Sequence, residues 1–214
     1  MLTANKVALM DFDGVILRNK TVLSRVANKA TQYVQRTLDI SKRSSAEAVN
    51  RYLYTTYGHT AIGLNAITKT TTLQEFNAFV YDDLYLDHNE YYEAKKELHE
   101  WCLFLKRLHD RGIPIHIFSN APKEWCLNFI DSHPNLYWTW DYIPLALENL
   151  KPQMHIYNIL EDKFSNATVY FVDDNMSNLS NARNWETIMF DSKFQLPNQL
   201  TVSSLGKCAD IICA

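Results

Sequence analysis

The 214-residue chain sets 21 Lys and Arg against 24 Asp and Glu, a formal charge of -3, with 47% hydrophobic and 21% charged residues. That balance excludes disordered and fibrous classes and gives no general attraction to nucleic acid polymers or an anionic membrane. The length suits one large domain, or one domain carrying an elaborate insertion.

In chain order, Lys6 to Met10 is a β-rich apolar run cut off by Asp11-Phe12-Asp13-Gly14, which predicts a buried strand feeding a tight turn. Leu23, Val26, Ala27, Ala30, Val34 and Leu38 recur at helical spacing and predict a helix over about 21–38. A second helix is expected over 44–57, with Ser44 or Ser45 as N-cap and Gly58 as its stop. Thr68 to Thr72 suits a loop or cap, and 73–81 reads as helix again. Glu90 to Arg111 is amphipathic, with Ala94, Leu98, Trp101, Leu105 and Leu108 on one face and Gly112 at its end. A second strand is predicted over 113–118, ending in Ser119-Asn120. Beyond it come a helix over 122–130, a strand over 140–147, and a helix over 152–162 with Pro152 in its first turn. A strand over 168–172 ends in Asp173-Asp174. A helix over 175–183 and a strand over 186–190 complete the pattern.

Strands alternating with helices predict a parallel sheet covered on both faces. The long helical stretch after the first strand exceeds what one crossover needs and reads as an inserted subdomain. The four cysteines form no CxxC pair and no zinc-type spacing; Cys102 and Cys126 sit in apolar stretches and read as small core residues. The apolar run 7–10 is too short for a secretory h-region, and no segment approaches the ~20 apolar residues of a membrane helix. A reducing, cytoplasmic setting is the expectation.

In an open parallel sheet, ligands collect beyond the carboxyl ends of the strands. Asp11, Asp13, Ser119, Asp173 and Asp174 all fall there, and Lys151 precedes the helix leading to the fourth strand. Singly, each has a plain role as turn former, helix cap or surface residue. Jointly, four carboxylates at one edge repel one another. At neutral pH they are tolerable together if a cation and a lysine sit among them. Oxygen ligands suit a hard ion such as Mg²⁺, which shares its shell with water and substrate oxygens. The pattern therefore asks for Mg²⁺ facing an anionic substrate, with phosphate the obvious candidate.

Asp11-Phe12-Asp13-Gly14-Val15, Ile117-Phe118-Ser119-Asn120, Lys151-Pro152 and Phe171-Val172-Asp173-Asp174 resemble, in order, the four short motifs of the haloacid dehalogenase-like superfamily. The resemblance spans nearly the whole chain. It implies a three-layer, Rossmann-like α/β core with a parallel sheet, residues 1–17 and 91–214, and a helical cap subdomain, 18–90, inserted after the first strand. It makes Asp11 the nucleophile that forms an aspartyl-phosphate and Asp13 the acid–base that serves leaving group and water. Mg²⁺ would be held by the Asp11 carboxylate, the Asp13 backbone carbonyl and Asp173, with Asp174 supporting it through water. Ser119, Asn120 and Lys151 would bind the phosphoryl group, Lys151 also neutralising charge.

Asp13 separates branches of the superfamily, since a halide leaves without being protonated and the dehalogenases proper lack this residue. A response-regulator receiver shares the residue types, but its acidic pair precedes its phosphorylated aspartate and its order does not match. Tyr57-Gly58-His59-Thr60-Ala61-Ile62-Gly63-Leu64, Phe79-Val80-Tyr81-Asp82-Asp83 and Ser119-Asn120-Ala121 resemble segments of pyrimidine 5′-nucleotidase-type members. Trp185-Glu186, where relatives often carry Gly-Met, and the glycine-free run Asn175-Met176-Ser177-Asn178 depart from that pattern. Gly58 and Gly63 also suit plain turn chemistry, and His59 reads as a polar surface residue rather than a substrate contact. The tyrosines at 52, 54, 57, 81 and 85 suit core packing more than base stacking. The expected function is a Mg²⁺-dependent phosphomonoesterase acting on a small phosphorylated metabolite, such as a nucleoside 5′-monophosphate. A sugar-phosphate mutase and a silent binding protein of the same fold are the alternatives.

Overall fold

The structure is a computed structural model and describes residues 5–82, 88–131, 141–190 and 199–214. Six strands, β1 (Lys6–Met10), β2 (Ile115–Ile117), β3 (Asp141–Tyr142), β4 (Thr168–Asp173), β5 (Glu186–Phe190) and β6 (Thr201–Val202), pair in the order β3-β2-β1-β4-β5-β6. Every pairing is parallel. Helices α1 (Lys20–Thr37), α2 (Arg43–Tyr57), α3 (Thr60–Thr68) and α4 (Leu73–Tyr81) follow β1. The remaining helices are α5 (His88–His109), α6 (Lys123–Asp131), α7 (Met154–Lys163), α8 (Met176–Leu179) and α9 (Leu205–Cys213).

The two-residue period of β1 sorts its side chains between layers. Ala8 and Met10 join a cluster with Leu98, Trp101 and Leu105 of α5 and Ala209 and Ile212 of α9. Val7 and Leu9 join Ile156, Tyr157 and Leu160 of α7 on the other face. β4 repeats the division, with Val172 in the first cluster and Val169 and Phe171 in the second. A strand buried on both faces must be apolar throughout, which is why 7–10 shows no alternation. Each fully buried aliphatic side chain here contributes about 1.5–3 kcal/mol. The result is the expected three-layer α/β sandwich.

Helices α1 to α4 have apolar clusters of their own, one joining Ala30, Ala61, Phe76 and Val80 and another joining Val34, Leu53 and Leu64. Gly63 lets α3 approach α2, because a Cβ there would press into Leu53 and Tyr57. Gly58 ends α2 in the left-handed region at φ 76°, as expected of a C-cap glycine.

Several boundaries differ from the sequence reading. Ser44 and Ser45 lie inside α2, whose N-cap is Lys42; Arg43, paired with Glu47 at 3.1 Å and Asn28 at 3.1 Å, anchors that first turn instead. α3 covers a stretch that the sequence marks only by its motif, with Gly63, a turn candidate, inside the helix. Pro152 precedes α7 and follows a cis peptide bond, with Asn181 donating to its carbonyl at 2.5 Å. α8 stops at Leu179 rather than Arg183. β3 is only Asp141–Tyr142, and Leu147 lies in a 3₁₀ turn, Leu147–Asn149. β6 and α9 went unread, although Leu205, Cys208, Ala209 and Ile212 have helical spacing and are buried. Cys126 is buried as expected, while Cys102 is half-buried. Trp140, Tyr85 and the side chain of Ala94 lie outside the described residues. Among those described, no helix is long and apolar enough to cross a membrane.

Candidate active site

The strand order reverses between β1 and β4, and the first and fourth motifs meet there. Met10 pairs with Val172, and the Asp11 amide donates to the Val172 carbonyl at 2.9 Å, carrying the register one residue past the strand. Asp11 and Asp173 therefore leave neighbouring strand ends side by side. The chain after Asp11 closes on itself, the amides of Ile16 and Leu17 both donating to the Phe12 carbonyl. Within this loop Gly14 has φ 90°, and a Cβ there would collide with the Asp174 carboxylate. Glycine at 14 is thus required twice, by conformation and by space.

Lys151 is 1% exposed and its ammonium lies 3.1 Å from Asp11 Oδ2 and 2.6 Å from Asp173 Oδ2. The rings of Phe118 and Phe171 lie 5.2 and 5.5 Å from the same nitrogen. Burial alone would lower the Lys151 pKa, but the charges of Asp11 and Asp173 outweigh it and hold it above the ordinary value. The backbone carrying this lysine is fixed by Asn120, whose side chain donates to the Lys151 carbonyl and accepts from the Lys151 amide, both at 2.8 Å. Asn120, expected at the phosphoryl group, lines the cavity and also holds the Lys151 backbone.

Asp173 is fully buried; Oδ1 accepts from the Asn175 amide at 2.8 Å, and both oxygens accept from Asn178 Nδ2 at 3.0 Å. Carboxylate oxygens of Asp11, Asp173 and Asp174 lie within 4.8 Å of one another. Desolvation in the cavity, then the charges of Asp11 and Asp173, push the Asp174 carboxyl up to about 8. Three hard oxygen donors set against one lysine fit Mg²⁺ by charge and by ligand type. Asp174 stands in this cluster beside Asp11 and Asp173.

The Asp13 carboxylate lies outside this cluster, accepting from Trp125 Nε1 at 3.1 Å. Burial raises its pKa to about 7, with the Trp125 hydrogen bond opposing and the Asp11 charge adding. Ser119 is 1% exposed, its Oγ accepting from the Ala121 amide at 3.3 Å.

Asp11, Asp13, Ser119, Asn120, Lys151 and Asp174 line one wall of a cavity of about 550 Å³, within the usual range for small-molecule sites. The other wall comes from α1 to α4 and includes Thr31, Asn50, His59, Thr60 and Tyr81. His59, expected at the surface, is 8% exposed. Tyr52 and Tyr54, expected in the core, are 59% and 48% exposed, and the Tyr54 phenol accepts from Asn175 at 3.3 Å. Trp125 belongs to no motif, and Asn178 stands only in the run after the fourth motif, with no role assigned; the fold shows that they hold Asp13 and Asp173.

The sheet defines an open, doubly wound α/β protein with the acidic crevice, its candidate site, at the switch point. Its architecture is that of the haloacid dehalogenase-like superfamily. An L-2-haloacid dehalogenase aligns over 99% of this chain and 100% of its own, with TM-score 0.60 and 14% identity. A phosphatase of the superfamily from Thermococcus onnurineus aligns over 97% of both chains, with TM-score 0.60 and 16% identity. A protein described as a predicted phosphatase from Clostridium acetobutylicum aligns over 99% of both, with TM-score 0.55 and 12% identity. No protein-family model and no curated protein matches the chain.

Proposed function

We propose that the protein is a Mg²⁺-dependent phosphomonoester hydrolase that works through an aspartyl-phosphate on a small cytoplasmic phosphate, of which a nucleoside 5′-monophosphate is the favoured example. The superfamily architecture supports a hydrolase, and both dehalogenases and phosphatases share it. The observation that favours phosphoryl transfer is Asp13. A second carboxyl lines the cavity beside Asp11 and is held there by Trp125. Displacing an alkoxide calls for a proton donor at that place; displacing a halide does not.

In this reading Asp11 attacks phosphorus in line, a P–O bond forms, and the bond to the leaving oxygen breaks as Asp13 supplies its proton. Water then attacks the phosphorylated Asp11, Asp13 takes back a proton, and phosphate departs with Asp11 regenerated. Ser119, whose Oγ already accepts from Ala121, would direct its proton to a phosphoryl oxygen. Lys151 would hold the Asp11 carboxylate in place and offset the charge gathering on the transferred group. Asp11, Asp173 and Asp174 would hold Mg²⁺, which when bound supplies charge neutralisation at the phosphoryl oxygens. Helices α1 to α4, within the expected cap of residues 18–90, would close over the leaving group.

Mass spectrometry of the Asp13→Asn variant after incubation with p-nitrophenyl phosphate, whose leaving group needs no proton, tests this directly. The expected result is one phosphoryl group on the peptide containing Asp11, because departure of phosphate is slowed. A modification on another residue, or none while phosphate is still released, would remove Asp11 from the nucleophile's role.

A further inference from the structure

His59 sits at the start of α3, and its Nδ1 accepts a hydrogen bond from the Ala61 amide at 3.2 Å. A ring nitrogen that accepts carries no proton, so the imidazole is neutral and its single proton sits on Nε2. Burial agrees, holding the pKa down at about 4. The ring stands edge-on to Phe76 at 5.3 Å, which fixes its plane. Among the described residues Nε2 meets no protein acceptor, and His59 lines the cavity.

The surrounding wall mixes apolar side chains (Leu23, Val26, Ala30, Phe76, Val80) with neutral polar ones and carries no net charge. Thr60 donates to Asn50 at 2.7 Å, Asn50 to Thr31 at 3.1 Å, and Thr31 to the Ala27 carbonyl at 3.0 Å. The charged residues of α1 to α4 that line the cavity are Glu47 and Arg51, one of each sign. A fixed neutral donor in such a wall suits an uncharged oxygen acceptor.

We infer that His59 reads the leaving group, its Nε2–H donating to a ring carbonyl or hydroxyl oxygen of a nucleoside-like alcohol. The inference rests on the phosphatase reading for the direction in which substrate lies, and the test separates the two. His59→Asn keeps an acceptor for the α3 amide, since asparagine is a favoured N-cap, but withdraws the cavity donor. The ratio of kcat/KM for uridine 5′-monophosphate over phenyl phosphate, which lacks ring carbonyls and ribose hydroxyls, should fall about tenfold, chiefly through KM. His59→Gln, whose amide reaches further, should recover part of the loss. An unchanged ratio overturns the inference.

If the wild-type protein turns over no phosphate ester, the phosphatase reading fails by itself. Calorimetry with uridine then decides the role of His59. A Kd about tenfold weaker in His59→Asn supports it; equal affinities, or no binding by the wild type, overturn it. Should the variant not fold, nitrogen-15 NMR of the wild-type His59 ring gives the same decision. Added uridine shifts the Nε2–H signal if the donor is used, and an unmoved signal overturns the inference.

Discussion

The two walls of the cavity are built on opposite principles. The sheet wall concentrates charge: Asp11, Asp13 and Asp174 line it against one buried lysine, and Asp173 stands behind. The helical wall disperses charge: Thr60, Asn50 and Thr31 hydrogen-bond in a chain that ends on the Ala27 carbonyl, and the neutral His59 ring lines the cavity beside them. On the proposed reading, chemistry at phosphorus needs the first, since developing charge must be met by fixed charge. Selection among leaving groups needs the second, because a buried neutral hydrogen bond rejects a substrate that leaves it unpaired. The walls should therefore fail differently when damaged, the sheet wall losing turnover on every substrate and the helical wall losing preference.

Asp11→Asn gives the sharpest contrast. Turnover should fall by at least about 10⁴-fold on every substrate, as for loss of other nucleophiles, with the thermal midpoint preserved. Steady-state assays with calorimetry check this, and retained activity would break the division of labour. Asp13→Asn comes next, with a loss of about 10²–10⁴-fold that is larger for an alkyl phosphate than for p-nitrophenyl phosphate. Equal losses for the two esters would place Asp13 outside leaving-group protonation.

On the helical wall the largest effect is on stability. His59 titrates at about 4 when folded and near 6.5 when unfolded. The unfolded chain therefore takes the proton first as pH falls. Stability from this group is fully present above pH ~6.5 and is lost between pH ~6.5 and ~4, by about 3 kcal/mol. Denaturant melts across that window should show His59→Asn losing correspondingly less than the wild type. The smallest effect is at the joint between the walls. Gly58 has φ 76°, and a Cβ there would press into the Pro152 ring. Gly58→Ala should cost about 1–3 kcal/mol, read as a lower thermal midpoint, while Asp11 and Asp13 keep their chemistry.

The sheet wall was legible in the sequence and the helical wall largely was not. Asp11, Ser119 and Asp173 follow apolar runs that can only be buried strands, and parallel sheets gather such strand ends at one edge. The burial of His59 depends on Phe76 arriving from α4, and the contact of Trp125 with Asp13 spans 112 positions. Neither leaves a local pattern. Asn120 is intermediate: its place in a motif was readable, but its commitment to the Lys151 backbone depends on how the 151–152 loop folds. α9 did carry a readable period, and its place beside α5 completes the layer under β1.

The most direct measurement is product release by the wild-type protein from uridine 5′-monophosphate, p-nitrophenyl phosphate and L-2-chloropropionate, each with Mg²⁺ and with EDTA. Phosphate should appear from the esters with Mg²⁺ and cease with EDTA, while no halide is released. Halide release, or phosphate release indifferent to EDTA, would contradict the assignment of Asp13 and of the carboxylate cluster respectively. Silence on all three substrates would contradict the hydrolase itself.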